Sequence, residues 1–175
     1  MKIPSGRNPL LSSSVNPFLA SSLNPARASS LNPNLASSKN PFLASSLNPR
    51  MASSINPKRA SSLNYRMSSS INPALSSRLN PNLSSRINPN ISSNIAGLYL
   101  FDLNRHAIGF TVRANERVNL VFSPECEFSA VLIEAREGFW NLFDLDNEWV
   151  GFWIHARGNV WLRFDLMKQW VGFTT

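Results

Sequence analysis

The sequence predicts an all-β protein built from two unlike parts: an N-terminal parallel β-solenoid and a small antiparallel, barrel-like β domain. Three observations lead there. Asn recurs every eight residues from Asn8 to Asn88, and a looser repeat of about 21 residues, rich in Trp and Phe, fills the chain from residue 96 onward. The halves also differ in charge and composition, which marks them as separate segments. Residues 1 to 95 hold ten Lys and Arg and no acid, whereas residues 96 to 175 hold seven bases against ten acids. The expected divisions are 1–7 as an N-terminal cap, 8–95 as the solenoid and 96–175 as the β domain.

The first element is an array of eleven octads of the form N-P-x-L-A-S-S-L. Every Asn precedes Pro except Asn64, which precedes Tyr65; the sixth slot is Ser in all eleven copies, while the third takes Leu, Phe, Ala, Asn, Arg or Lys. Duplication alone would leave every slot equally alike, so unequal tolerance points to a folded repeat rather than a disordered Ser/Pro-rich linker. Slot eight is Val, Leu or Ile except at Lys39, and slot four is Leu, Met or Ile except at Arg27 and Arg59. Pro every eight residues argues against a continuous helix. Read as an extended chain, slots four, six and eight share an inward face and slots five and seven an outward one. Asn-Pro supplies the corner of a type I turn, and stacked corners let successive Asn side chains bond along the array. Coils of two octads then stack at about 4.8 Å per rung into a rod of about 26 Å.

The second element reads as four strand–turn–strand units. Trp140-Asn141-Leu142-Phe143-Asp144 with Trp149-Val150-Gly151-Phe152 is echoed by Trp161-Leu162-Arg163-Phe164-Asp165 with Trp170-Val171-Gly172-Phe173. Tyr99 to Phe110 is an earlier copy, and Asn119 to Val131 a degenerate one. β-Branched and aromatic residues on both arms of each unit predict a meander of up to eight strands. The recurrent Gly109, Gly151 and Gly172 belong where a strand bends or where an aromatic packs closely.

Function is less legible than architecture. No G-x-S-x-G elbow occurs, and His106 and His155 lack partners at a metal-ligand spacing, so neither an enzyme nor a cofactor is expected. Cys126 sits beside Glu125 and Glu127, which favour a raised thiol pKa. Asp144, Asp146, Asn147 and Glu148 superficially resemble a calcium loop, but the sister copies keep only the first Asp, which suits the start of a turn. No apolar run reaches the length of a membrane span, and the first residues lack a secretory signal, so a soluble and by default cytoplasmic protein is expected.

What remains is binding. The leading expectation is a structural or interaction protein: a rigid basic scaffold that anchors or self-associates, with a β domain that takes a protein partner through Trp140, Trp149, Trp161 and Trp170. An alternative is a module for a polyanion, nucleic acid or acidic polysaccharide, held by Arg50, Lys58, Arg66, Arg78 and Arg86. A third reading uses slots five and seven, whose small regular residues resemble in kind the ice-binding faces of antifreeze solenoids, although those favour Thr and Arg78, Arg86 and Asn94 interrupt the face here.

Overall fold

The computed structural model describes all 175 residues, and its only strands lie in the C-terminal part. These are β1 (Tyr99–Asp102), β2 (Ala107–Arg113), β3 (Val118–Phe122), β4 (Phe128–Arg136), β5 (Phe139–Phe143), β6 (Trp149–Arg157), β7 (Val160–Asp165) and β8 (Trp170–Thr174). Each pairs antiparallel with the next, and β8 returns to β1, so the expected meander closes into an eight-stranded barrel. No helix is long and apolar enough to cross a membrane.

Strand alternation sorts the side chains onto two faces, and both are apolar. The inner face carries Leu100, Val121, Ala130, Leu132 and Trp153, with Trp140, Leu142 and Trp161 beside them. Phe101, Phe110, Phe122, Phe139, Phe143, Phe152, Phe164 and Phe173 belong instead to a larger cluster on the outer wall. There they line up across neighbouring strands, with ring centroids 5.3 to 5.5 Å apart for Phe101–Phe173, Phe110–Phe122, Phe139–Phe152 and Phe152–Phe164. A wall of phenylalanine facing water is untenable. It needs a cover.

The octads supply that cover, and they do so without forming strands. The solenoid expectation is corrected here: each octad is two tight turns in succession. The Asn carbonyl accepts from the N–H groups of slots four and five, as in Leu19→Asn16 at 3.1 Å and Ala20→Asn16 at 2.9 Å. The slot-five carbonyl then accepts from slot eight, and slot six from the next Asn, closing a 3₁₀ turn over slots six to eight. The misreading has a physical source. Asn-Pro opens a type I turn, but it is also a helix start, with Asn capping and Pro at the first helical position where its missing N–H costs nothing. In every octad the Asn Oδ1 accepts the slot-three N–H, as at Asn16–Phe18 and Asn48–Arg50 (both 2.9 Å). Successive Asn do not bond one another; Asn16, Asn56 and Asn88 instead donate Nδ2 to the proline carbonyl of the preceding corner, at 2.7 to 2.9 Å.

Burial follows the turns. Slot eight points inward, with Leu23, Leu31, Leu47, Ile55, Leu63, Ile71 and Leu79 all buried, and all but Leu23 in one cluster with the barrel's phenylalanines. Slots four and six, expected inside with it, face outward. Lys39, the exception in slot eight, is half-buried, with its ammonium near Gly138, and burial together with Arg136 lowers its pKa.

The array runs once round the barrel, meeting the strands in the reverse of their chain order. Phe18 packs on Trp170 and Phe173 of β8, Asn141 of β5 donates to the Leu47 carbonyl, and Asn82 reaches the Cys126 carbonyl beyond β3. Residues 1 to 7 complete the circuit. The Lys2 N–H donates to the Pro89 carbonyl, and Tyr99 donates its hydroxyl to the carbonyls of Lys2 and Ser93. Arg7 donates to the carbonyls of Ile95, Gly97 and Thr175 and lies 4.6 Å over the Tyr99 ring. Burial lowers the Arg7 pKa, the nearby Tyr99 opposing it.

The repeated glycines mark close approaches between neighbouring strands, against backbone carbonyls where an aromatic was the expected neighbour. A Cβ on Gly109 would lie 2.4 Å from the Phe122 carbonyl oxygen, on Gly151 2.6 Å from that of Phe164, and on Gly172 2.4 Å from that of Phe101. Each of these carbonyls belongs to a residue where the strand register shifts. Because backbone rather than a movable side chain occupies the space, Gly151→Ala should lower stability by about 2 kcal/mol in a denaturant titration, within the range for overpacked cores.

Candidate functional site

The barrel has two unlike ends, and the octads align their slots with them. One end is the rim of turns 102–106, 123–127, 144–148 and 165–169. In each turn a side-chain oxygen caps the backbone: Asp102 accepts from His106 N, Asp144 from the N–H groups of Asp146 and Glu148, Asp165 from Gln169 N, and Ser123 from those of Glu125 and Glu127. The fourth residue of each turn, Arg105, Cys126, Asn147 or Lys168, has a positive φ. The calcium-like residues are thus a turn repeated four times, with Asp144 as its cap.

Slot-three side chains meet this rim. Lys58 pairs with Glu148, Arg66 pairs with Asp146 at 3.0 Å, Asn34 donates to the Lys168 carbonyl and Asn90 to that of Pro124. Tyr65, where Pro is missing, donates its hydroxyl to the Leu145 carbonyl and packs edge-on against Phe128 at 5.0 Å, which accounts for the one break in the Asn-Pro series. Slot four follows directly and is exposed in every octad. Leu11, Leu19, Leu35, Leu43, Met51, Met67, Leu75, Leu83 and Ile91 are 58 to 72% exposed, each one residue along the chain from the rim-facing slot three, and Leu103 and Met167 are exposed on the turns themselves. Charge is balanced here. Seven acids on the four turns face Arg105, Lys168 and the five bases of slots three and four.

The other end is the open mouth, between the hairpin tips at 114–117, 137–138 and 158–159. Slot seven meets it: Arg117, Arg136 and Arg157, one from each hairpin, donate to the carbonyls of Ser54, Ser38 and Ser14. Within lies a cavity of about 540 Å³, lined by Trp140, Trp153, Trp161, Thr111, Asn119, Leu132 and His155, with Arg113, Glu116, Glu134 and Glu137 around it. Trp140 and Trp161 meet edge to face at 6.0 Å, and His155 lies against Trp161 at 4.7 Å with its Nε2 2.8 Å from the Gly158 carbonyl oxygen. None of the three glutamates forms an ion pair; the molecule's ion pairs are all at the other end. Trp153 is buried and its Nε1–H has no acceptor. Behind it, 5.7 Å from its ring, is Arg163, a cation within the barrel whose pKa burial pushes down to about 10, Asp102 opposing.

The sequence-derived candidates therefore divide. Arg50, Lys58 and Arg66 gather at the 144–148 turn, where Arg50 stacks 5.6 Å from Trp149. Arg78 and Arg86 occupy slot seven, and Arg78 donates to the Ser70 carbonyl. Trp149 lies on the outer wall beneath Phe42, 5.4 Å away, and Trp170 beneath Phe18, 5.0 Å away. Only Trp140 and Trp161 come together, at the mouth. Slots five and seven do not make one flat lattice, since slot five is half-buried and slot seven exposed. Cys126 is buried near Asn90; burial raises its thiol pKa, and Glu125 adds to this. Sequence reasoning missed Trp153 and the glutamates. The available signal was the run Trp149 to Ile154, apolar on both strand faces.

Comparison with protein-family models, curated proteins and solved structures finds no match.

Proposed function

We propose that this chain is a non-enzymatic scaffold that pairs with a second copy of itself, rim to rim, through the slot-four ring. The observation that carries this reading is the uniform outward exposure of slot four, apolar in nine of eleven octads. A row of exposed apolar side chains on this scale, recurring in one slot, marks an interaction face. At roughly 100 Å² a side chain the ring offers about 900 Å², close to the roughly 800 Å² that each partner contributes to a stable interface. The charge-balanced face favours self-pairing, because Glu125 and Glu127 of one copy, which form no ion pair within the chain, can meet Arg27 and Arg59 of the other across a two-fold axis.

Sedimentation velocity tests this directly. The full chain should show a reversible monomer–dimer equilibrium, and the double variant Leu43→Glu/Leu75→Glu, changed at two exposed positions, should remain monomeric with an unaltered melting curve. A wild-type chain that stays monomeric at every concentration would remove the proposal.

A further inference from the structure

We propose that the barrel mouth, at the end opposite the pairing rim, binds a nucleotide of the guanine type, taking the base into the cavity and leaving the phosphate at the hairpin tips. The cavity volume lies within the range of small-molecule sites. Its wall joins three indoles to carboxylates, a pairing suited to a flat ring whose edge carries N–H donors. Trp140 and Trp161 are partly exposed and offer faces for stacking. Glu134 and its two neighbours are acceptors without a partner cation, and a guanine edge presents adjacent N–H groups that one carboxylate can accept together.

A further observation narrows the choice. Around the glutamates, Arg113, Arg117, Arg136 and Arg157 are exposed at the mouth. The last three each give one bond to a belt carbonyl and retain other guanidinium N–H groups. A simple organic cation would meet those arginines unfavourably, and a neutral sugar would leave them unused. A phosphate uses them. The same chemistry could come from a free nucleotide or from the 5′ end of a single strand.

Isothermal titration calorimetry of the full chain at low salt would test the assignment with GMP, AMP, guanosine, ribose 5-phosphate and the 5′-phosphorylated trinucleotide pGUU. GMP should bind one per chain, at least about tenfold more tightly than ribose 5-phosphate, which lacks the stacking base. It should also exceed guanosine by about tenfold, the preference shrinking as salt is raised. Glu134→Gln should weaken GMP at least about fivefold while leaving the melting curve and the monomer–dimer equilibrium unchanged. Tighter binding of pGUU than of GMP would identify a strand end as the source, and equal binding a free nucleotide. Absence of GMP binding, equal binding of ribose 5-phosphate, or equal binding of AMP would overturn the proposal.

Discussion

Expressed without residues 1 to 95, the barrel is expected to be insoluble or molten, with no cooperative melt and strong binding of a hydrophobic dye. All nine of its phenylalanines belong to the outer-wall cluster or pack against it, alongside the slot-eight side chains of the array. At roughly 150 Å² per ring and about 25 cal/mol per Å², uncovering them forfeits on the order of 30 kcal/mol as an upper bound. A third of that matches the stability of an ordinary domain. The array alone should fare no better. Its backbone bonds span only three or four residues except at the residue 1–7 junction, and its buried row would have no partner, so residues 1 to 95 should give a largely unordered circular dichroism spectrum. A soluble monomer of residues 96 to 175 that melts in one sharp transition would show that the belt is dispensable.

A point substitution should separate the two apolar rows of the array. Leu47 is 0% exposed and lies under β4 and β5, whereas Leu43, four residues earlier, is 72% exposed. Leu47→Ala should cost about 3 kcal/mol, the lost methylenes plus the cavity left between belt and wall. Leu43→Ala should stay within about 0.5 kcal/mol. Denaturant titration followed by tryptophan fluorescence reads both. Equal losses at the two positions would mean that both rows pack inward, and the exposed ring would lose its basis.

Those two residues also show how far the sequence could be read. The period of eight and the four hairpin units were legible, because each rests on local chemistry repeated many times; the glycines were expected at a bend or against an aromatic, whereas what a side chain there would meet is the backbone carbonyl of the neighbouring strand. Leu43 and Leu47 were not separable. Both occupy apolar slots, and the choice between a strand, which puts them on one face, and a pair of turns, which puts them on opposite faces, hangs on whether Asn16 and its counterparts cap a helix start or open a corner. The invariant slot-six Ser misled further: it is exposed and opens the 3₁₀ turn instead of filling a gap in a core. In the barrel, Phe152, Trp153 and Ile154 announced two buried faces. Nothing in the periodicity said that one of them would be buried by the other half of the chain. The cavity was harder still, since Glu134 and Trp153 meet Trp140 and Trp161 only when β4 to β7 curl into a closed barrel.

Arg7 gives the closed circuit a consequence for biosynthesis. It donates to the carbonyl of Thr175, 168 residues away, so a residue ahead of the array finds its partner only after the last barrel strand has been made. Until the barrel strands emerge, 95 residues have no core to enter, and contacts between belt and wall span much of the chain. Such long-range pairing makes folding slow. The segment that waits carries ten positive charges and no negative one, and such like-charge repulsion opposes association. The belt therefore cannot close until the barrel strands that it encircles have been made.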